Sequence, residues 1–97
     1  AVRDENGVCT RTIECDNNHI NIYTRESAAD AWEHTHHEHM QGKCARELRD
    51  IVIASLELAG VENGNPNVRA FREAIALCET EEEKRTVCAA VCGAVAR

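Results

Sequence analysis

Between His34 and His39 the chain reads HTHHEH, which places four of its five histidines within six residues. Imidazoles three apart on a helix share a face and can hold one zinc or copper ion, which would pair His34 with His37 or His36 with His39. Glu38, four residues beyond His34, adds an oxygen donor. The plainer reading is a solvated helix face, with His36 and His39 covering the edge of Trp32. No HExxH pattern accompanies the run, so no metal or other cofactor is expected. In acid these histidines would gain charge together, and like charges on adjacent turns would lower helicity.

Sulfur is the second chemical resource. Six cysteines, Cys9, Cys15, Cys44, Cys78, Cys88 and Cys92, form an even set in a 97-residue chain, the pattern of a disulfide framework in an oxidising, extracellular setting. There is no C-x2-C pair to suggest thiolate-bound zinc. Cys78-x9-Cys88 is half of a twin C-x9-C pattern whose second copy is missing. Cys88 and Cys92 stand four apart on a helix, where Cβ atoms are about 5–6 Å from each other. A disulfide needs about 3.5–4.5 Å, so each must reach a different partner. If the helices carrying Cys44 and Cys78 run antiparallel, those two pair, which leaves Cys9 and Cys15 for Cys88 and Cys92. A Cys9–Cys15 bond is the alternative.

Other constellations offer little chemistry. With every cysteine bonded no thiolate nucleophile remains. The chain's two serines are spent as a helix start, Ser27, and on a buried face, Ser55. The run CDNNH at 15–19 is only superficially like a calcium-dependent phospholipase, because the glycine-rich calcium loop is missing. No catalytic set can be proposed, and the chain is expected not to be an enzyme. Glu81, Glu82 and Glu83 are first-turn acids suited to the helix dipole. Arg46 with Arg49, and Arg69 with Arg72, are basic pairs at i, i+3 that could grip an acidic protein surface, or simply be solvated.

The elements that position these groups follow from periodicity. Residues 1–24 form a polar, irregular arm tethered by Cys9 and Cys15, in which the alternation HINIY hints at a short extended piece. Helices are predicted over 27–41, 43–59, 66–78 and 80–96. Ser27 and Asp30 open the first and Gly42 ends it, although its apolar stripe of Ala28, Ala29, Trp32 and Met40 is weak. Leu48, Ile51, Val52, Leu56 and Ala59 mark the second, closed by Gly60. Asn65 caps the third with Pro66 in its first position, and Val68, Phe71 and Ile75 form its buried face. Thr80 with Glu83 is a capping box for the fourth. The expected fold is all-α: one disulfide-stapled helical domain spanning 1–97.

Aromatic residues are 3% of the chain, one each of Phe, Trp and Tyr, so a core this poor in large side chains needs covalent ties. A net charge of −6 argues against nucleic acid and anionic membrane as partners. No apolar run is long enough to span a bilayer, and no signal peptide is present, as expected of a mature secreted, monomeric form.

From VRDENGVCTRTIECDNNH through KCARELRDIVIASLELAG to the VCAAVC helix, the chain resembles the anticomplement proteins of sand-fly saliva. The resemblance implies a secreted, non-enzymatic inhibitor of the classical complement pathway. Its partner would be a host plasma protein and its context immune evasion during blood feeding; no functional residues are implied. Insect odorant-binding proteins are the second comparison, being helical with six cysteines. Their C-x3-C pair is the second and third cysteine, whereas here Cys88-x3-Cys92 is the fifth and sixth. A carrier of small hydrophobic ligands is therefore one alternative function, and a histidine metal-binding module the other.

Overall fold

Ile20 and Ile22 alternate with His19, Asn21 and Tyr23, and that period of two governs the N-terminal half. In a computed structural model, which describes residues 2–16 and 18–96, this stretch is one of the two inner strands of a sheet. Ala1 and Asn17, which fall in the expected arm and in the CDNNH run, and Arg97 lie outside the described residues. The strands β1 (Val2–Arg3), β2 (Cys9–Asp16), β3 (His19–Thr24) and β4 (Glu33–His39) lie side by side in sequence order, all antiparallel. Three helices follow: α1 (Ala45–Leu58), α2 (Pro66–Ala76) and α3 (Glu81–Val95). The fold is thus α/β, a four-stranded antiparallel sheet with three helices, and the expected all-α architecture is overturned.

Two expectations fail: the arm of residues 1–24, expected to be irregular apart from a short extended piece, carries the three strands β1 to β3, and residues 27–41, expected to be a helix, form a turn followed by β4. Ser27 and Asp30, read as a helix start, instead close an isolated turn: Asp30 N–H donates to the Ser27 carbonyl at 3.2 Å and Ser27 Oγ to Asp30 Oδ2 at 2.9 Å. The predicted helix had no strong apolar stripe to hold it against a core, and histidine and threonine are mediocre helix formers. β2 and β3 alone would make a hairpin, which is marginal in water. The free edge of β3 takes residues 33–39 as a third strand, and tertiary pairing overrides the local capping signal.

The helices form where the three-four rhythm places them. Asn65 Oδ1 accepts from Asn67 N–H at 2.8 Å, and Thr80 with Glu83 makes the reciprocal capping box. After α1, Gly60 adopts φ +86°, while Gly60 N–H reaches the Glu57 carbonyl and Val61 N–H the Leu56 carbonyl. This left-handed stop suits glycine, and a Cβ there would press into the Val2 side chain.

α1 and α3 lie on one face of the sheet, and α2 packs against both helices. Ile13, Ile20 and Ile22 from the sheet meet Leu48, Val52, Leu56, Val68, Phe71, Ile75, Cys88, Val91 and Cys92 in a common core. Replacing Thr80 with alanine removes the acceptor for Glu83 N–H, 3.1 Å away, and leaves an N-terminal donor of α3 without its cap. The expected cost is about 1 kcal/mol, seen as a fall in melting temperature of about 4–8 °C. An unchanged calorimetric transition would show that the box adds nothing to the fold.

Candidate functional site

The face of the sheet opposite the helices carries most of the chain's chemistry. Cross-strand partners point to the same side. The registers Thr12↔Tyr23, Glu14↔Asn21 and Asp16↔His19 continue into Tyr23↔His34, Asn21↔His37 and His19↔His39. Carboxylates on β2 therefore flank a central row of His19, Asn21 and Tyr23, with imidazoles on β4 beyond it. The register shift between Ile22 and Tyr23 leaves Thr35 as an extra residue in β4. A bulge of this kind re-aims the side chains beyond it, and it brings His34 onto the same face as His37 and His39.

Asn21 anchors the arrangement. It is one of two buried polar residues among those described, and its Oδ1 accepts from His34 Nε2 at 2.9 Å and from His37 Nδ1 at 2.8 Å. A carboxamide oxygen only accepts, so both ring nitrogens must carry protons. In the neutral rings that places the lone pairs on His37 Nε2 and His34 Nδ1. His34 also stacks on Tyr23, ring centroids 5.0 Å apart, and Tyr23 donates its hydroxyl to Glu14 Oε1 at 3.1 Å. The Glu14 hydrogen bond holds the Tyr23 hydroxyl above its ordinary range.

At the other end of the face, His19, His37 and His39 form a triangle, with centroids 4.7 Å (His19–His37), 4.4 Å (His19–His39) and 5.4 Å (His37–His39) apart. Their ligand nitrogens lie within 4.8 Å of one another. Desolvation first, then the neighbouring imidazoles of His19, His39 and His34, hold His37 below the usual histidine range, so its ring is uncharged near neutrality. His36 and Glu38 belong to the other side of β4. They pair with Ile22 and Ile20 in the register, and His36 Nε2 lies 3.4 Å from Glu38 Oε1.

The structure thus regroups the histidines. The expected pairing of His36 with His39 places one residue on each side of the strand, while His34 and His37 come together on Asn21. Among the described residues no ring contact joins Trp32 to His36 or His39; Arg25 stacks over the Trp32 ring at 4.2 Å. With these residues on a strand, the expected loss of helicity in acid loses its basis.

Cys15, Cys88 and Cys92 converge at the other face. Cys15 Sγ lies 2.7 Å from Cys92 Sγ and 3.2 Å from the Cys88 carbonyl. All six cysteines are unbonded in this structure. The contact with Cys92 and burial push the Cys15 thiol strongly up, and burial with the neighbouring sulfurs of Cys15 and Cys78 pushes Cys88 up to about 12. Neither is a thiolate nucleophile near neutrality. Cys9 begins β2 and lies six residues from Cys15 along the strand, about 20 Å at strand rise, which puts it out of bonding reach of Cys88 and Cys92. Cys44 stands at the N-cap of α1, and Cys78 follows the end of α2. Lys84 Nζ on α3 donates to the Lys43 carbonyl at 3.3 Å, drawing these three helix ends together.

The arginine pairs are largely engaged within the chain. Arg69 donates twice to the Gly64 carbonyl and Arg72 to Asn63 Oδ1, clamping the turn before α2, and Arg49 holds Asp50 at 3.1 Å. Arg46 is exposed on α1. For a hydrophobic ligand the structure offers an open apolar furrow of about 250 Å3 between α2 and α3, lined by Phe71, Val87 and Val91. That is below the roughly 300 Å3 of a typical ligand cavity. It runs on, through Ala74 and Val87, into an open groove of about 460 Å3 beside exposed Leu77. Among the described residues, no helix is long and apolar enough to cross a membrane. No protein-family model, curated protein or solved structure matches the chain.

Proposed function

We propose that this chain is a secreted, non-enzymatic binding protein that docks a host plasma protein on the uncovered face of its sheet and so inhibits the classical complement pathway. The functional class comes from the resemblance to sand-fly anticomplement proteins. The observation that supports a docking role is the face itself: Thr12, Glu14, Asp16, His19, Asn21, Tyr23, His34, His37 and His39 share it, with α1 and α3 on the opposite side. Tyrosine and histidine present rigid rings that lose little entropy on contact, and the Tyr23–Glu14 and Asn21–His34 hydrogen bonds preorganise them. Glu14 and Asp16 put carboxylates along one side of this face, suited to a basic patch on the partner.

The test is lysis of sensitised erythrocytes in plasma, with each complement pathway assayed separately. The wild-type chain should inhibit the classical pathway. Tyr23→Ala combined with Glu14→Lys should lose about 10- to 30-fold in potency, the scale of an interface hot spot, whereas Arg46→Ala on α1 should be unaffected. Equal potency of the double variant and the wild type would place the docking surface elsewhere, and absence of inhibition by the wild type would remove the proposed function.

A further inference from the structure

The geometry points to a divalent transition-metal site formed by His19, His37 and His39 on the open face of the sheet, independent of whether that face docks a protein. His37 and His39 are two apart on β4, hence on one side of the strand, and His19 is the cross-strand partner of His39. A strand pair thus delivers three imidazoles to one point, as two turns of a helix would deliver two. Tetrahedral coordination at about 2.0–2.1 Å places ligand nitrogens about 3.3 Å apart. The three ligand nitrogens already lie within 4.8 Å of one another, so each pair needs to close by no more than about 1.5 Å, within reach of side-chain rotation.

A second, independent feature is the buried carboxamide of Asn21. Metal-ligating histidines commonly donate their other ring N–H to an oxygen that fixes ring and tautomer. His37 does this here: Nδ1 donates to Asn21 Oδ1 at 2.8 Å, so Nε2 is the free donor atom. Asp16 stands opposite His19 in the β2–β3 register and can supply an oxygen ligand or hold a metal-bound water. His19 is half-buried while His37 and His39 are exposed, so an ion can enter from solvent. Three imidazoles without a thiolate suit Cu2+ or Zn2+, with Cu2+ the tighter by the usual divalent order, and do not suit Mg2+ or Ca2+, which prefer oxygen donors.

Calorimetric titration of the untagged chain with Cu2+ and Zn2+ should show one saturable site per chain, absent with Mg2+ or Ca2+. Replacing an outer-shell partner of a metal site costs about 10–100-fold in affinity, and removal of a ligand should cost no less. His37→Ala and His39→Gln should each weaken binding at least about tenfold, and His36→Ala, on the other side of β4, should not. His39 lies on an exposed edge strand, so its variant keeps the test open if His37→Ala unfolds. The Cu2+ paramagnetic resonance spectrum should carry hyperfine structure from imidazole nitrogens, and the Co2+ complex should lack a thiolate charge-transfer band. No saturable binding, a thiolate band, or equal weakening by His36→Ala and His37→Ala would overturn the assignment.

Discussion

Incubating the reduced chain with glutathione disulfide is expected to join Cys15 to Cys92 and raise the melting temperature by about 15 °C or more. The sulfurs lie 2.7 Å apart, and a disulfide bond is about 2.0 Å long, so closure requires little movement. One cysteine thiolate attacks glutathione disulfide and expels glutathione; the second thiolate then displaces the other glutathione, giving one protein disulfide and two reduced glutathiones. The positions are 77 residues apart in sequence, and a loop of that size predicts a stabilisation of about 4 kcal/mol by restriction of the unfolded chain. At about 4–8 °C per kcal/mol for a domain of this size, the shift should be unmistakable. The contact with Cys92 first, then burial, holds the Cys15 thiol protonated, so the reaction should accelerate with rising pH as the thiolate fraction grows.

Peptide mapping should recover the Cys15–Cys92 cross-link, and in Cys15→Ala the oxidant should give far less stabilisation. Cys15→Ala melting as high as the oxidised wild type would mean that the stabilising bond lies elsewhere. The pair joins the C-terminal end of β2 to the last turns of α3. Closure would therefore tie the sheet to its helical layer and stiffen the opposite face, where the proposed contacts lie.

The three C-terminal helices were legible because packing and capping agreed. Leu48, Val52 and Leu56, then Val68, Phe71 and Ile75, repeat at helical spacing and are all buried, and Asn65 and Thr80 act as the caps their positions suggest. Residues 33–39 were not legible, since threonine favours a strand, glutamate a helix and histidine neither, and the local preferences conflict until β3 offers an edge to pair with. The histidine site was lost with that strand. Counting by three grouped His36 with His39, whereas counting by two groups His37 with His39. His19 could enter only through the register, and His34 only through a bulge that no local pattern announces. A signal was nevertheless present in HINIY: the alternation that buries Ile20 and Ile22 also puts His19, Asn21 and Tyr23 on the other side. That alternation identified an extended piece but not its partners.

Truncating Ile20 to alanine should be among the most damaging single changes, because this residue holds the sheet to its helices. Ile20 is 0% exposed, and it pairs with Cys15 on one side and Glu38 on the other, so that neighbouring strands flank it on both edges. Removing a buried isoleucine to alanine costs about 2–5 kcal/mol in lost transfer energy and residual cavity. That is a large fraction of the 5–15 kcal/mol or so that holds a typical domain together. The urea midpoint should fall accordingly with little change in slope. Leu58, 54% exposed at the end of α1, gives the contrast: Leu58→Ala should stay within about 0.5 kcal/mol. The neighbouring Asn21 faces the opposite way, so loss of Ile20 should also loosen the imidazoles that Asn21 orients. If Ile20→Ala unfolds at the same denaturant concentration as Leu58→Ala, the helices do not pack on this side of β3, and the assignment of the histidines to the open side falls with that packing.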